Sequence, residues 1–269
     1  MVILPAAAAP ETDRLVLGVN GARDQDRLAR LAAEVGLDSW HLLGHLWDFL
    51  LAGTLTREVA RLRTRYAPAQ HVDGMLDRFL TPGLVNEQSG RLETTARLAP
   101  VLSAIGEDTR RVAADAWADH ETQADVVAAG AARMIAAADD DAPVAMAHRA
   151  IALPDDKYLA LYCRLVTVRY IRQHDHAVAW AAHDLTAPQM RVYTELWLGR
   201  QVADDAEGRA DLEARGLVVA GGGLSEAGRQ LREQIEAETL DRSARTYDIL
   251  GEDGPEYLAA ITALPTPHA

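Results

Sequence analysis

The chain is poor in residues that mark several common functional classes. Its 269 residues include one cysteine, Cys163, and one lysine, Lys157, and only 5% are aromatic. A lone cysteine excludes an internal disulfide, and we expect Cys163 to be a small core residue. Arginine supplies every other basic residue apart from histidine. That bias is typical of a high-GC genome and does not indicate a function.

Long hydrophobic runs are also missing. No apolar run approaches the roughly 18 residues that a membrane-spanning helix needs. The N-terminal stretch has no basic segment ahead of its apolar residues, and Pro5 and Pro10 interrupt it. This pattern predicts neither a signal peptide nor a membrane anchor. We therefore expect a cytoplasmic protein with no membrane partner.

Familiar cofactor and catalytic motifs are absent as well. The sequence contains no Walker phosphate-binding loop, no dinucleotide-binding glycine motif and no Ser–His–Asp order. The run from Gly221 to Gly223 lies at the tip of a predicted hairpin and is interpreted as a turn. We therefore expect no cofactor. The net charge of −13 argues against a strong general attraction to nucleic acid.

What the chain does contain favours helices. Apolar residues make up 49%, with abundant Ala and Leu and few β-branched runs, and the length suffices for two domains or one large one. One pattern occurs twice: a helix, Gly-Leu-Val, a turn, a leucine and a second helix. The copies are Gly83 to Val85 with Leu92, and Gly216 to Val218 with Leu224. We predict a mainly α fold with two degenerate winged-helix modules, each carrying a small β-wing.

The repeat divides the chain into four predicted parts. These are an irregular N-terminal arm (residues 1–22), the first winged-helix-like module (23–95), a helical connector with a long central helix (96–184), and the second module with C-terminal helices (185–269). The connector is expected to break near Gly106, near Gly130 and at the run from Asp139 to Asp141.

The central helix is the stretch around which we expect the rest to be organised. It is predicted from Pro154 to His183, because Pro154 and Asp155 are a start signal and no glycine or proline interrupts it before Leu185. At about 100° per residue, seven polar and aromatic side chains fall within roughly 80° of one another. They are Tyr158, Tyr162, Arg169, Arg172, His176, Trp180 and His183. This stripe predicts the wall of a half-buried pocket, and a surface helix is the alternative.

Three residues of the stripe are the candidate catalytic residues. Arg169, Arg172 and His176 stand at i, i+3 and i+7, so their side chains should converge on one cavity. Two guanidinium groups suit an enolate, carboxylate or carbonyl oxygen, and like charge should lower the pKa of the histidine, as a general base requires. The remaining members, Tyr158, Tyr162, Trp180 and His183, are predicted ligand-binding residues.

A second candidate cluster lies near the N-terminus. His41, His45 and Asp48 share one helix face at i, i+4 and i+7. Two histidines and a carboxylate at this spacing can hold a metal, but the spacing is common and the HExxH signature is absent. We predict no metal and interpret His41 and His45 as ligand-binding residues opposite the central helix. A metal site or a purely structural pair stays open.

Several stretches resemble known families. The segments DLTAPQMRVYTEL, LEARGLV and LSEAGRQL, between Asp184 and Leu231, resemble MarR-type winged-helix regulators. Over most of its length the chain resembles the actinobacterial SalK-like helix-turn-helix family. Arg169, Arg172 and His176 match that family's R-x-x-R-x-x-x-H pattern, and RYAPAQHV from Arg65 to Val72 is similar to another of its motifs. The resemblance implies a fold and a place in bacterial specialised metabolism, without implying a reaction.

The predicted recognition helices disfavour DNA. From Arg200 to Arg215 three arginines stand against five acidic residues, and carboxylates at a groove repel phosphate. We therefore expect a small-molecule-binding protein of specialised metabolism, in the form of a cofactor-independent tailoring enzyme of the cyclase, isomerase or lyase type. The alternatives are a ligand-responsive MarR-like transcription regulator and a non-catalytic scaffold. A homodimer stays open.

Overall fold

The protein is mainly helical, as its composition predicts. The computed structural model describes residues 4–139, 141–203 and 206–268, and in this part of the chain thirteen α-helices accompany one two-stranded sheet. The helices are α1 (Leu4–Gly21), α2 (Gln25–Glu34), α3 (His41–Ala52), α4 (Arg57–Arg63), α5 (Ala69–Leu80), α6 (Ala99–Trp117), α7 (Glu121–Ala137), α8 (Pro143–Arg149), α9 (Lys157–Ala181), α10 (Ala187–Trp197), α11 (Arg209–Ala214), α12 (Glu226–Asp248) and α13 (Gly254–Ala263). The antiparallel strands are β1 (Val85–Gln88) and β2 (Arg91–Thr94).

The long central helix is α9. It begins at Lys157 rather than Pro154, because the Asp156 side chain accepts hydrogen bonds from the amides of Tyr158 and Leu159 and so caps the helix. α9 contacts α1, α6, α7, α8 and α12, which makes it the centre of the packing. Among the described helices, none is long and apolar enough to cross a membrane.

The N-terminal segment is a helix, so the prediction of an irregular arm over residues 1–22 is wrong for the part that is described. Pro5 lies in the first turn of α1, where no amide partner is lost, and Pro10 stands exposed inside the helix. Leu15 and Val19 are fully buried, and α1 packs on α9, α12 and α13. Burial of this apolar face outweighs the local cost of Pro10.

The connector before α9 begins with two long helices, α6 and α7, and the breaks predicted at Gly106 and Gly130 are wrong. At the third predicted break, Asp140 lies outside the described residues; α7 ends at Ala137 and α8 begins at Pro143. Both glycines lie inside helices, α6 and α7, and an aromatic ring packs directly on each of them. The ring of Trp47 covers Gly106 and the ring of Tyr257 covers Gly130. The glycines permit close ring contact, and the chain turns instead at residues 118–120.

The two Gly-Leu-Val segments have the same local conformation. Gly83 and Gly216 adopt φ values of 68° and 70°, in the left-handed region where glycine carries no steric penalty. The leucines that follow, Leu84 and Leu217, are buried. In both copies the leucine amide donates to a carbonyl five positions earlier, at 2.9 Å. The two copies therefore share the turn that ends the preceding helix.

Beyond that point the two copies differ. The first has the β1–β2 hairpin, whereas the second pairs only through a bridge between Val218 and Leu224. The second copy also packs around its own hydrophobic cluster, here called the small core. Its members are Ala179, Leu185, Met190, Val192, Tyr193, Leu212, Leu217, Val218, Leu224 and Ile235. Most of the other buried apolar residues form the large core, which joins the first copy to the connector, to the first part of α9 and to the C-terminal helices.

Candidate functional site

A cleft of about 250 Å³ runs beside the middle of α9. Arg169, Arg172 and His176 all line it, so the structure brings the three candidate catalytic side chains together, as their spacing predicts. The other lining residues are Ala9, Thr12, Asp13, Tyr66, Val168, Gln173, Thr194, Arg232, Glu236 and Tyr247. The facing walls are thus α1 and α12. We call this space the α9 cleft.

Two acidic residues from other helices pair with the arginines of the cleft. Arg169 Nε donates to Asp13 Oδ1 of α1 at 2.6 Å, and Arg172 Nη2 donates to Glu236 Oε2 of α12 at 3.3 Å. Arg232 also pairs with Glu236. Burial raises the pKa of Glu236 and Arg232 lowers it, with a lowered pKa as the net result. Three guanidinium groups face two carboxyl groups in the α9 cleft, so positive charge is in excess.

The α9 cleft also contains buried donors without a partner. Arg172 Nε and Arg232 Nε are both buried, and neither has a hydrogen-bond partner in the part of the chain that the structure describes. The hydroxyl of Thr194, another lining residue, is in the same state. A buried unpaired polar group costs about 1–3 kcal/mol. Acceptor oxygens of a ligand are the natural partners for these groups.

The tautomer of His176 follows from its neighbours. The Thr239 hydroxyl donates to the Ile235 carbonyl at 2.7 Å, so its oxygen accepts at 3.0 Å from His176 Nδ1. Nδ1 therefore carries the proton, and Nε2 is left as a base. Burial lowers the pKa of His176 to about 4; Glu236 opposes this shift, and Arg232 and Arg172 add to it. His176 is neutral at pH 7.

This lowered pKa should make stability depend on pH. An unperturbed histidine has a pKa of 6.5, and that of His176 is about 4. Between these pH values the unfolded chain binds a proton at this position and the folded protein does not, so His176 has no effect on stability above about pH 6.5 and destabilises the folded state increasingly as the pH falls to about 4. The melting temperature should drop less between pH 7 and pH 5 in His176→Asn than in the wild type. An equal drop in both proteins would contradict the assignment, and His71→Asn, on the exposed face of α5, is the control.

The other four residues of the predicted stripe do not reach the α9 cleft. Tyr162 is buried against the Arg23 guanidinium and donates to Asn20 Oδ1 at 2.7 Å. Trp180 lines a separate groove beside α8. The remaining two form hydrogen bonds outside the α9 cleft: Tyr158 with the Ala118 carbonyl, and His183 with Glu238. The structure therefore does not bring these four together as one ligand-binding set.

His41 and His45 also lie away from the α9 cleft. The expectation that His41, His45 and Asp48 form the opposite wall of this cavity is wrong, because α1 and α12 occupy that position. His41 stacks on Trp40. Desolvation by the surrounding residues, together with the charge of Arg63, lowers the pKa of His45 to about 4, even though part of the residue is exposed at the surface. Within the described ranges no group of three or more His, Cys, Asp or Glu residues is arranged to hold a metal.

Asp175, the neighbour of His176 on α9, is a buried acidic residue. It is 1% exposed, and its carboxylate accepts from the Ser243 hydroxyl at 3.0 Å. Arg242 and Arg245 of α12 stand at 3.8 and 3.5 Å. The residue thus fixes α9 to α12 rather than facing solvent.

Sequence reasoning missed the polar partners of the three predicted residues, which are Asp13, Arg232, Glu236 and Thr239. Arg232 and Glu236 stand at i and i+4 on α12, which is a charge-pair signal on any helix. That signal gives the pair but not the surface it faces. Asp13 lies in a segment interpreted as irregular, so no helix face was assigned to it.

Comparison with known protein families shows which family the chain belongs to. A model described as a helix-turn-helix family matches residues 67–266, which are 200 of the 269 residues. The chain belongs to this helix-turn-helix family. No curated protein and no solved structure matches it.

The match spans both Gly-Leu-Val copies and α9, and it leaves out α1. In this helix-turn-helix protein the helix before the second Gly-Leu-Val, α11, has six residues. Its exposed positions are Ala210, Asp211 and Ala214. Its arginine, Arg209, is 2% exposed and donates to Glu213 and to the Gly222 carbonyl. The outer face of α11 therefore offers no cationic group to DNA.

Proposed function

We propose that the protein binds an anionic small molecule in the α9 cleft. The observation that supports this most directly is that Arg172 and Arg232 line a cleft with excess positive charge, and that the buried Nε donor of each has no partner among the described residues. In such a low-dielectric site a charge-assisted hydrogen bond is worth more than in water. The ligand would present carboxylate or enolate oxygens to these two groups.

The finer proposal is a cofactor-independent tailoring enzyme of the cyclase, isomerase or lyase type, acting in bacterial specialised metabolism. His176 Nε2 would take a proton from a substrate C–H or O–H bond, and the electron pair would move towards an oxygen held by Arg172. Glu236 Oε1, 3.7 Å from His176 Nδ1, would stabilise the imidazolium that results. The low pKa of His176 keeps the base unprotonated before the reaction.

Benzoate is a suitable first probe, because it joins one carboxylate to a small apolar ring. We expect wild-type protein to bind it, and Arg172→Ala to weaken binding by about tenfold or more, as the loss of a charge-assisted hydrogen bond predicts. Arg172→Lys keeps the charge but not Nε, and should restore little of the affinity. Isothermal titration calorimetry would measure all three proteins.

The matched control is Arg191→Ala, which removes an exposed arginine of α10 that does not line the α9 cleft. It should bind benzoate like the wild type, because only general charge has changed. Equal weakening by Arg172→Ala and Arg191→Ala would show a nonspecific charge effect and contradict the proposed site. Full recovery of benzoate binding in Arg172→Lys would also contradict the proposed site, because lysine keeps the charge but lacks Nε.

A ligand-responsive transcription regulator is the second candidate, and the helix-turn-helix family favours it. Against it stands the outer face of α11, which carries Asp211 and no exposed arginine. We expect no retardation of the gene's own upstream DNA at physiological salt, with or without benzoate. A specific shift at nanomolar protein that weakens steeply with added salt would favour the regulator over the enzyme.

A further inference from the structure

A second cavity lies on the opposite face of α9 from the α9 cleft. It has a volume of about 310 Å³, and its lining residues come from α3, α7, α8, the loop after α8, and α9. On α9 it is lined by Cys163, Arg164 and Thr167, which on a helical wheel lie on the other side from Arg169 and His176. We call it the α7–α9 cavity.

The walls of the α7–α9 cavity are mostly apolar. They are built by Ala132, Ile135, Ala136, Ile151, Ala152 and Leu153. Leu153 is 49% exposed at the rim, so the cavity opens to solvent. Its volume exceeds the roughly 150 Å³ of an engineered apolar cavity that takes up benzene. A small aromatic molecule therefore fits.

A chain of hydrogen bonds forms the polar floor of the cavity. The Thr167 hydroxyl donates to the Cys163 carbonyl at 3.0 Å, so its oxygen accepts from His148 Nδ1 at 2.7 Å. His148 Nε2 donates to Asp48 Oδ2 at 2.8 Å. Both imidazole nitrogens thus carry a proton, and His148 and Asp48 form a buried ion pair. Burial raises the pKa of Asp48 and His148 lowers it, with a lowered pKa as the net result.

This floor keeps unused acceptor capacity. An ionised carboxylate offers about four lone-pair sites. Asp48 uses one for His148 and one for the amide of Phe49, at 2.9 Å. The nitrogens of His148 are both occupied, and the Thr167 hydroxyl is already a donor. Asp48, with two lone-pair sites unused, is therefore the charged acceptor in the floor that can receive a hydrogen bond from a molecule in the cavity.

We propose that the α7–α9 cavity is a second binding site, which takes a small, neutral, largely aromatic molecule carrying one N–H or O–H donor. The donor bonds to Asp48, and the ring lies against the apolar walls from α7 and the loop after α8. An anionic molecule is disfavoured at the floor, where its charge would meet the Asp48 carboxylate, although Arg149 and Arg164 also line the cavity. Neutral aromatic ligands with a single polar group therefore bind here, whereas carboxylates bind in the α9 cleft.

Indole and indene test the proposal, because they share a shape and only indole has an N–H group. Wild-type protein should bind indole in calorimetric titration, and indene about tenfold more weakly, since it has no donor for the charged acceptor. Asp48→Asn should weaken indole more than indene. Benzoate should not displace indole, which separates this site from the α9 cleft. Indene binding as tightly as indole would overturn the assigned role of Asp48.

A second variant leaves the ion pair intact. Ala132→Leu adds apolar volume to the α7 wall without touching the polar floor, and leucine is a good helix former. It should weaken indole binding at least tenfold. Ala137→Leu adds the same volume on an exposed position of α7 that does not line the cavity, and should change nothing. No indole binding at about 1 mM, or equal binding by both variants, would overturn the site.

Discussion

Replacing His148 by leucine should destabilise the folded protein by about 3–5 kcal/mol, the cost of removing one partner from a buried ion pair. The residue is 4% exposed, and its loss leaves the Asp48 carboxylate, 7% exposed, without its cation. The rings of Phe49 and Tyr170 pack edge-on against the imidazole at 5.3 Å, so a leucine of similar size keeps the packing. Urea denaturation followed by circular dichroism would measure the loss.

The double variant Asp48→Leu with His148→Leu separates charge from packing. Two leucines remove both charges at once, and replacing a whole buried pair with apolar residues is often close to neutral. The double variant should therefore recover most of the stability that His148→Leu loses. A loss below about 1 kcal/mol in His148→Leu would mean that Asp48 is not a buried charge. A double variant as unstable as the single one would mean that altered packing, and not the unpaired charge of Asp48, causes the loss of stability.

The features that the sequence predicts well are those set within one helix or one turn. Arg169, Arg172 and His176 are related by the helical repeat alone, so their convergence on one side of α9 needs no knowledge of the tertiary fold. The two Gly-Leu-Val segments depend in the same way on local chemistry, because Gly83 and Gly216 both end a helix in the left-handed region.

The prediction that all seven residues of the stripe line one pocket is wrong for a geometrical reason. α9 has 25 residues, and at 1.5 Å per residue it is about 38 Å long. Residues on one face of such a helix meet different neighbours at each end. Tyr158 lies near the end of α6 and His183 reaches α12, while the α9 cleft occupies only the middle. A shared face is therefore not a shared pocket.

Partners between distant segments were not predictable from spacing. Asp13 is 156 positions from Arg169, and Glu236 is 64 positions from Arg172. His148 is 100 positions from Asp48, so the sequence grouped Asp48 with the histidines of its own helix instead. Which carboxylate lies next to a given arginine or histidine depends on how the helices pack, and the spacing of residues in one sequence does not give that packing. The α9 cleft and the α7–α9 cavity both depend on such pairs.

Substitution of Gly228 by alanine should destabilise the small core by about 3 kcal/mol, at the upper end of the usual cost of overpacking. A Cβ on Gly228 would collide with the Leu217 carbonyl oxygen, and this backbone atom cannot rotate away as a side chain can. The Tyr193 hydroxyl donates to the Gly228 carbonyl, and the Ser225 hydroxyl accepts from its amide. α10, the second Gly-Leu-Val segment and α12 therefore all meet at this position.

The measurement for Gly228→Ala is hydrogen exchange, because the small and large cores are separate clusters. Amides between residues 185 and 235 should exchange much faster, while those of α6 and α7 keep their protection. Gly223→Ala is the control: its Cβ would meet nothing within 4 Å, so it should change stability by less than about 0.5 kcal/mol. Equal acceleration in α6 and α7 would show that both cores unfold as one unit. Faster exchange confined to residues 185–235 would establish the second copy as an independently unfolding part of the chain.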